Sequence, residues 1–237
     1  ICKVIYLNKY QLSLTMKTLY IEAKYEKQVT VPKKIIEKLE KKIAIFTTLQ
    51  FIDSLPGIKR EIEESGRTVK IFKTTHTKNP GQIYGCNMDK FPGVDSFLYI
   101  GDGFFHPKAI IVGNDKPVHT YNPFSNKYKL FTREDAKADF QRQKAGYSLF
   151  IMKKNIGVLI STKIGQSYPV LALKLKKDFP DKNFYFIAFD TVDLNRVNDF
   201  PFIDVIVNTA CPRIGWDDKT DKPMVDLQTI YFYSKLI

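Results

Sequence analysis

Short apolar runs alternate with amphipathic stretches along most of the chain. KIAIFTT (42–48) is apolar and rich in strand-forming residues, so it predicts a buried strand. FIDSLPGIKREIEESG (51–66) then places apolar residues at helical spacing and stops at Gly66, a helix-end signal. RTVKIF (67–72), DSFLYIGDG (95–103) and PVHTY (117–121) predict three further strands, with Pro107 suited to the first position of a short helix between the last two. TREDAKADFQRQKAGYSLFIMKK (132–154) predicts a long helix whose Thr132 and Asp135 read as a capping pair. A second series follows. NIGVLIST (155–162) and NFYFIAF (183–189) are strands flanking the helical YPVLALKLKKDF (168–179), and IDVIVNTA (203–210) is a strand that runs into Cys211.

Near-continuous apolar strands separated by helices indicate parallel sheets covered on both faces, so the predicted class is α/β. The two series also resemble each other. Each opens with an apolar strand ending in Ser or Thr, followed by a Gln (Gln50, Gln166), and each proceeds to one cysteine in a loop rich in Gly, Asn or Pro. The expectation is two related parallel-sheet α/β lobes from an internal duplication, 16–128 carrying Cys86 and 129–237 carrying Cys211 in equivalent places. Residues 1–15 are an N-terminal extension.

Composition narrows the function. The 44% hydrophobic and 26% charged fractions are those of an ordinary globular protein. No apolar run approaches the roughly 18 residues that cross a bilayer, and no signal-peptide pattern opens the sequence, so no membrane partner is expected and the expected location is cytoplasmic. The net charge of +12 raises the question of a nucleic-acid partner, yet only six of the 37 basic residues are Arg, the residue suited to bidentate phosphate recognition. The charge also forms no block or aromatic-interleaved stripe, so direct nucleic-acid binding is not expected. Three widely spaced cysteines, Cys2, Cys86 and Cys211, form neither a disulfide framework nor a zinc-finger pattern.

Ligands of open parallel sheets bind beyond the carboxyl ends of the strands. Thr47, Gln50, Asp102, His106, Asn122, Ser161, Gln166, Asn208, Cys211 and Arg213 fall at or just after such ends. Two loop thiols that face one crevice would suit a shared metal site. Each residue also has a plainer role open to it: a loop cysteine can be partly buried packing, Asp102 in GDG a turn residue, His106 a cap for the helix at Pro107, and Asp217-Asp218 a solvated turn. Phosphate-loop, GxSxG, HExxH and complete GxGxxG patterns are absent from the sequence.

IAIFTTLQFIDSL, PGQIYGCN, LYIGDGFFHP, YNPFS and NTACPRIGWDD occur in the order found in the diphthamide-synthesis family, the 2-(3-amino-3-carboxypropyl)histidine synthases, which the chain resembles from about Met16 onward. The resemblance implies a 4Fe–4S cluster held by three cysteines from three related α/β domains, with one iron left open for S-adenosylmethionine. It implies reductive cleavage between sulfur and the gamma carbon, and transfer of a 3-amino-3-carboxypropyl radical to a histidine of the translocating elongation factor. It implies a homodimer or a heterodimer. By the same resemblance Cys86 and Cys211 correspond to the cluster cysteines of the family's second and third domains, and Asp102, His106, Gln166 and Arg213 are candidates for holding the methionine amine and carboxylate.

The family's first domain, with its own cysteine, has no counterpart here, and residues 1–15 lack the HxGH pattern expected before the second domain. Cys2 matches no family motif. The third ligand could come from another polypeptide, and Met16 could be a start or the sequence an incomplete gene product. Two functions stay open: the synthase itself, acting once its first domain is supplied, or a non-catalytic partner subunit or truncated remnant that docks the catalytic chain.

Overall fold

The computed structural model describes residues 4–6, 21–85, 89–163, 166, 168–217 and 220–234. The chain divides into two compact units, one formed by residues 17–137 and the other by 1–16 with 138–237, and each is built around a five-stranded sheet. The first strand, β1 (Val4–Tyr6), belongs to the second of these units, where it pairs in parallel with residues 186–188.

The first unit runs α1 (Lys33–Ile36), β2 (Lys42–Thr47), a 3-10 segment at Leu49–Ser54, α2 (Leu55–Glu64), β3 (Thr68–Lys70), β4 (Ser96–Ile100), α3 (Phe105–Asn114), β5 (Val118–Asn122) and β6 (Lys127–Phe131). Its sheet order is β3-β2-β4-β5-β6, parallel except for β6, which returns antiparallel on β5. Alternation along the strands sends Ile43, Ile45, Leu98 and Ile100 to one face, where they pack on Leu55, Ile58 and Ile62 of α2. Phe46, Phe97 and Tyr99 are fully buried by alternation on the other face, where the rings of Phe46 and Phe97 meet Phe91 at centroid distances of 4.7 and 5.9 Å. Burial on both faces is why these strands read as unbroken apolar runs. Each large side chain so buried contributes about 1.5–3 kcal/mol.

The second unit continues with α4 (Lys137–Met152), β7 (Asn155–Ser161), α5 (Pro169–Asp178), β8 (Asn183–Phe189), a 3-10 segment at Leu194–Asp199, β9 (Val205–Asn208), α6 (Pro212–Asp217), β10 (Met224–Asp226) and α7 (Leu227–Ser234). Its order, β1-β8-β7-β9-β10, is parallel throughout. Ile156, Val158, Phe186, Val205 and Val207 pack on α4, α5 and α7, while Leu159, Ile187 and Ile206 pack on Val197 and Ile203 on the opposite face.

The duplication appears in the strand order. In each unit the second strand lies outside the first and the third and fourth follow on its other side, β3-β2-β4-β5 in one and β8-β7-β9-β10 in the other. In sequence the two cysteines fall at different points of this strand order. Cys86 comes in sequence between the second and third strands, β3 and β4, whereas Cys211 follows the third strand, β9. The segment matching the Cys211 turn by strand order is GDGFFHP, after β4. Loop composition marks a turn without saying which strand it follows.

Three smaller points differ from or extend the sequence reading. His106 does not cap a helix opening at Pro107, because α3 already begins at Phe105. Asp135 does cap: its Oδ2 accepts from the backbone N–H and hydroxyl of Thr132 at 2.8 and 3.1 Å. Asp217 ends α6, and Asp218 lies outside the described residues. Among the described residues no helix is long and apolar enough to cross a membrane.

Candidate functional site

In the first unit the carboxyl edge of the sheet is fastened by Thr47, the last residue of β2. Its hydroxyl donates to the Ile100 carbonyl at 2.7 Å, joining the ends of β2 and β4. Its backbone N–H donates to the Gly81 carbonyl (2.8 Å) and its own carbonyl accepts from Ile83 N–H (2.9 Å), so residues 81–83 extend the sheet. Gly81 adopts φ +76°, so the turn favours glycine, and a Cβ there would stand 2.4 Å from Leu55 Cδ1. Gln82 is buried. Its carbonyl accepts from the Thr74 hydroxyl at 2.8 Å and its Nε2 donates to the Tyr84 hydroxyl at 3.2 Å. At Gly85 the bare Cα lies under the ring of Phe105 in α3.

Cys86, with Asn87 and Met88, lies outside the described residues. Asp89, beyond them, accepts from the Thr75 backbone N–H and hydroxyl at 2.9 and 2.7 Å, and its carbonyl accepts from Asn114 Nδ2 at 2.9 Å. Both stems of the Cys86 loop are therefore tied to the unit's framework.

Asp102 and His106 follow β4. Asp102 is exposed, and its Oδ1 accepts from Gly103 N–H and from Asn122 Nδ2, both at 2.8 Å. Asn122 Oδ1 in turn accepts from the backbone of Phe124 (2.9 Å), which folds the YNPFS turn against the GDG turn. Asp102 is thus a turn residue that also carries an exposed charge, and its Oδ2 takes no hydrogen bond among the described residues. His106 is half-buried, stacked on Tyr99 at 5.5 Å, with Nδ1 3.1 Å from the Tyr99 hydroxyl. Burial, helped by the neighbouring Asp102 charge, pushes the Tyr99 phenol well above its usual range, so Tyr99 stays neutral.

In the second unit Cys211 is a free, half-buried thiol between β9 and α6. Its carbonyl accepts from Asn208 Nδ2 and from Ile214 N–H, each at 3.0 Å, closing a tight turn at the end of β9. Arg213 is exposed in the first turn of α6, two residues on. Gln166 is half-buried beyond the end of the neighbouring β7, and its backbone N–H donates to the Lys163 carbonyl at 3.0 Å. The candidates thus fall into two groups, each on the carboxyl edge of its own sheet: Asp102 and His106 on the first, Gln166, Cys211 and Arg213 on the second. Asn122, Asn208 and Ser161 stand on the same edges, as the strand-end rule predicts. Tyr99, Gln143 and Asp226, which shape these turns, were not singled out from sequence. A lone Asp inside the apolar MVDL is the one signal that could have pointed to the last of them.

A thiol that is neither disulfide-bonded nor fully buried, in a turn at the end of a parallel strand, is of the soft ligand type that metal centres use. Among the described residues no group of three or more His, Cys, Asp or Glu side chains gathers to hold a metal ion. Cys211 is the one cysteine among the described residues.

Fold and site together define a duplicated α/β protein whose strand-end turns carry a cysteine and polar side chains. Residues 5–231 match the diphthamide synthesis protein family, and the chain belongs to it. It is 31% identical over 188 residues to the 2-(3-amino-3-carboxypropyl)histidine synthase of Pyrococcus horikoshii, covering 77% of this chain and 54% of that one. It is 28% identical over 195 residues to 2-(3-amino-3-carboxypropyl)histidine synthase subunit 1 of Candida albicans, covering 77% and 45%. The fold is similar to the crystal structure of Dph2 from Pyrococcus horikoshii with 4Fe-4S cluster, at TM-score 0.73 and 26% identity, covering 86% of this chain and 60% of that chain. The chain spans about half the length of the curated relatives it matches.

Proposed function

We propose that this chain supplies the second and third domains of a 2-(3-amino-3-carboxypropyl)histidine synthase, divided after β6 near residue 137 and not at 128/129, which would cut that strand. Cys86 and Cys211 would be two of the three thiolates around a 4Fe–4S cluster. The observation that carries the reading is the half-buried Cys211 thiol on a hydrogen-bonded turn at a strand end, in a chain matched to this family over nearly its whole length. The chemistry the cluster supplies when bound is one-electron cleavage of the sulfur–Cγ bond of S-adenosylmethionine, with the 3-amino-3-carboxypropyl group passing to a histidine of the translocating elongation factor.

The chain's own residues bind and orient. A zwitterionic amino acid needs a carboxylate for its amine and a cation for its carboxylate. Asp102 offers the first, with Oδ2 left over from its turn bonds, and Arg213 the second. His106, held by Tyr99, and Gln166 are further candidates, each on the edge of its own sheet. The third thiolate would come from a first domain. The protein would work in the cytoplasm as a homodimer or heterodimer, or paired with a separate first-domain polypeptide.

The naming of relatives as subunit 1 favours a heteromeric assembly and keeps a second reading in view, a partner subunit without chemistry of its own. The two separate on one experiment: anaerobic incubation of the assembled synthase containing this chain with S-adenosylmethionine, reductant and elongation factor, followed by mass spectrometry of the target histidine. The synthase reading expects the modified histidine, lost with Cys211→Ser. Modification undiminished by Cys86→Ser and Cys211→Ser together would establish the partner reading.

A further inference from the structure

The second unit holds a completely buried carboxylate that substrate binding does not use. Asp226, 0% exposed, ends β10 directly beside Asn208 in the parallel register of β9 and β10. Its Oδ1 accepts from Asn208 Nδ2 at 2.7 Å and its Oδ2 from Gln143 Nε2 at 2.9 Å. The orientation of Gln143 is fixed, because its Oε1 accepts from Asp226 N–H and from the Thr229 hydroxyl, each at 3.0 Å. Asn208 Nδ2 spends its other hydrogen on the Cys211 carbonyl (3.0 Å), and its Oδ1 accepts from Ala210 N–H (3.0 Å). On the α6 side, a Cβ at Gly215 would stand 2.9 Å from Asp226 Oδ1, so the helix after Cys211 is seated against the same carboxylate. A relay runs from α4 through Gln143, Asp226 and Asn208 to the turn that presents the thiol.

Desolvating a carboxylate is costly, and apolar packing would fill that space more cheaply. What the carboxylate does here is orient an amide. With Oδ1 receiving one Asn208 hydrogen, the other is aimed at Cys211. We infer that Asn208 and Asp226 are positioning residues that fix the Cys211 turn and so the direction in which its sulfur is presented. The inference rests on the reading of Cys211 as a cluster ligand, but it is tested on the free thiol, so the two can fail separately.

The test uses the full chain with Cys2→Ser and Cys86→Ser, leaving one thiol, and reads its iodoacetamide alkylation rate beside a thermal melt. Asp226→Asn keeps the shape but turns an amide NH2 toward Asn208 Nδ2 or Gln143 Nε2, setting donor against donor. The rate should rise about tenfold, the change expected when a local opening loses one net buried hydrogen bond, and the melting temperature should fall. The exchange Asn208→Asp with Asp226→Asn restores both side-chain contacts, since the new Asn accepts from Gln143 and donates to the new Asp. It leaves no hydrogen for the Cys211 carbonyl. Because a carboxylate oxygen then faces that carbonyl, the exchange should recover part of the melting temperature and keep the fast alkylation. Recovery of both together would show that the pair only holds the fold, and an unchanged rate in Asp226→Asn would equally overturn the inference. Gln143→Met, which reads the relay from its far end without touching β9, keeps the test open should Asp226→Asn not fold: a severalfold faster rate supports the relay and an unchanged one refutes it. The thiol reaction needs no iron, so its outcome is independent of whether Cys211 ligates the cluster. Cys211→Ser with an iron count decides that point.

Discussion

Phe105 lays its ring against the bare Cα of Gly85, so close that a Cβ at residue 85 would fall 1.9 Å from Phe105 Cε1. This joins the stem of the Cys86 loop to the first turn of α3, the helix that also carries His106. Gly85→Ala must displace the ring. Overpacking of this kind costs about 1–3 kcal/mol, so a lower urea midpoint is expected, together with less iron per chain after anaerobic reconstitution of the assembled synthase. Phe105→Leu in the same chain should recover part of both. Normal stability and iron in Gly85→Ala alone would show that the contact does not set the loop.

Asp102→Asn isolates charge from shape. Both of its hydrogen bonds end on Oδ1, which an Asn also provides, so the GDG and YNPFS turns should persist and the melting temperature should stay put. If the carboxylate holds the substrate amine, calorimetry on the assembled synthase should show S-adenosylmethionine bound about tenfold more weakly, the loss of one charge-assisted hydrogen bond. Unchanged affinity would leave Asp102 as a turn residue only.

Two helical glycines should respond with opposite sign. In α4 a Cβ at Gly146 would meet the Met224 backbone carbonyl at 2.4 Å, and backbone cannot step aside, so Gly146→Ala should destabilise by at least about 1–3 kcal/mol. In α2 nothing lies within 4 Å of such an atom at Gly57, and Gly57→Ala should stabilise by about 0.5–1 kcal/mol. Urea unfolding of the two variants checks both.

The fold and part of the site could be read from the sequence because burial on two faces leaves a signal that composition alone carries. Runs such as KIAIFT and NFYFIAF are apolar because both faces of each sheet are covered, by helices on one and by loops and short helical segments on the other, and they form strands. β6, with exposed Lys127, Lys129 and Leu130, carries no such signal; its place is set by antiparallel pairing with β5. β1 is three residues long, and its role comes only from the edge of β8 far along the chain. At the site, Asp102, Cys211 and Arg213 announce themselves by their position after apolar strands. Asp226 and Gln143 meet across 83 residues, which no local pattern encodes.

Acid should unfold the first unit partly through Glu40. Burial opposes ionisation of this carboxyl, but hydrogen bonds from Ser96 and His119 outweigh it and hold its pKa below the ordinary 4.5. His119, buried in β5, spans Glu40 Oε2 at 2.8 Å and the Tyr128 hydroxyl at 2.9 Å. A carboxyl whose folded pKa is depressed contributes stability that is complete above its unfolded value and lost as pH falls through the folded one. Stability should therefore decline from about pH 5 downward, with a shallower slope in Glu40→Gln. Urea unfolding at a series of pH values measures it, and parallel slopes would exclude Glu40 as a source.

The central claim is that this chain supplies two cluster thiolates and needs a third from the family's first domain. The most direct measurement is anaerobic reconstitution of the chain with and without a separately expressed first domain, read as iron and sulfide per chain and by EPR after reduction. The account predicts a near-complete 4Fe–4S cluster only in the mixture, lost with Cys86→Ala or with Cys211→Ala. A full and stable cluster on the isolated chain, or one in the mixture that survives both substitutions, would contradict it.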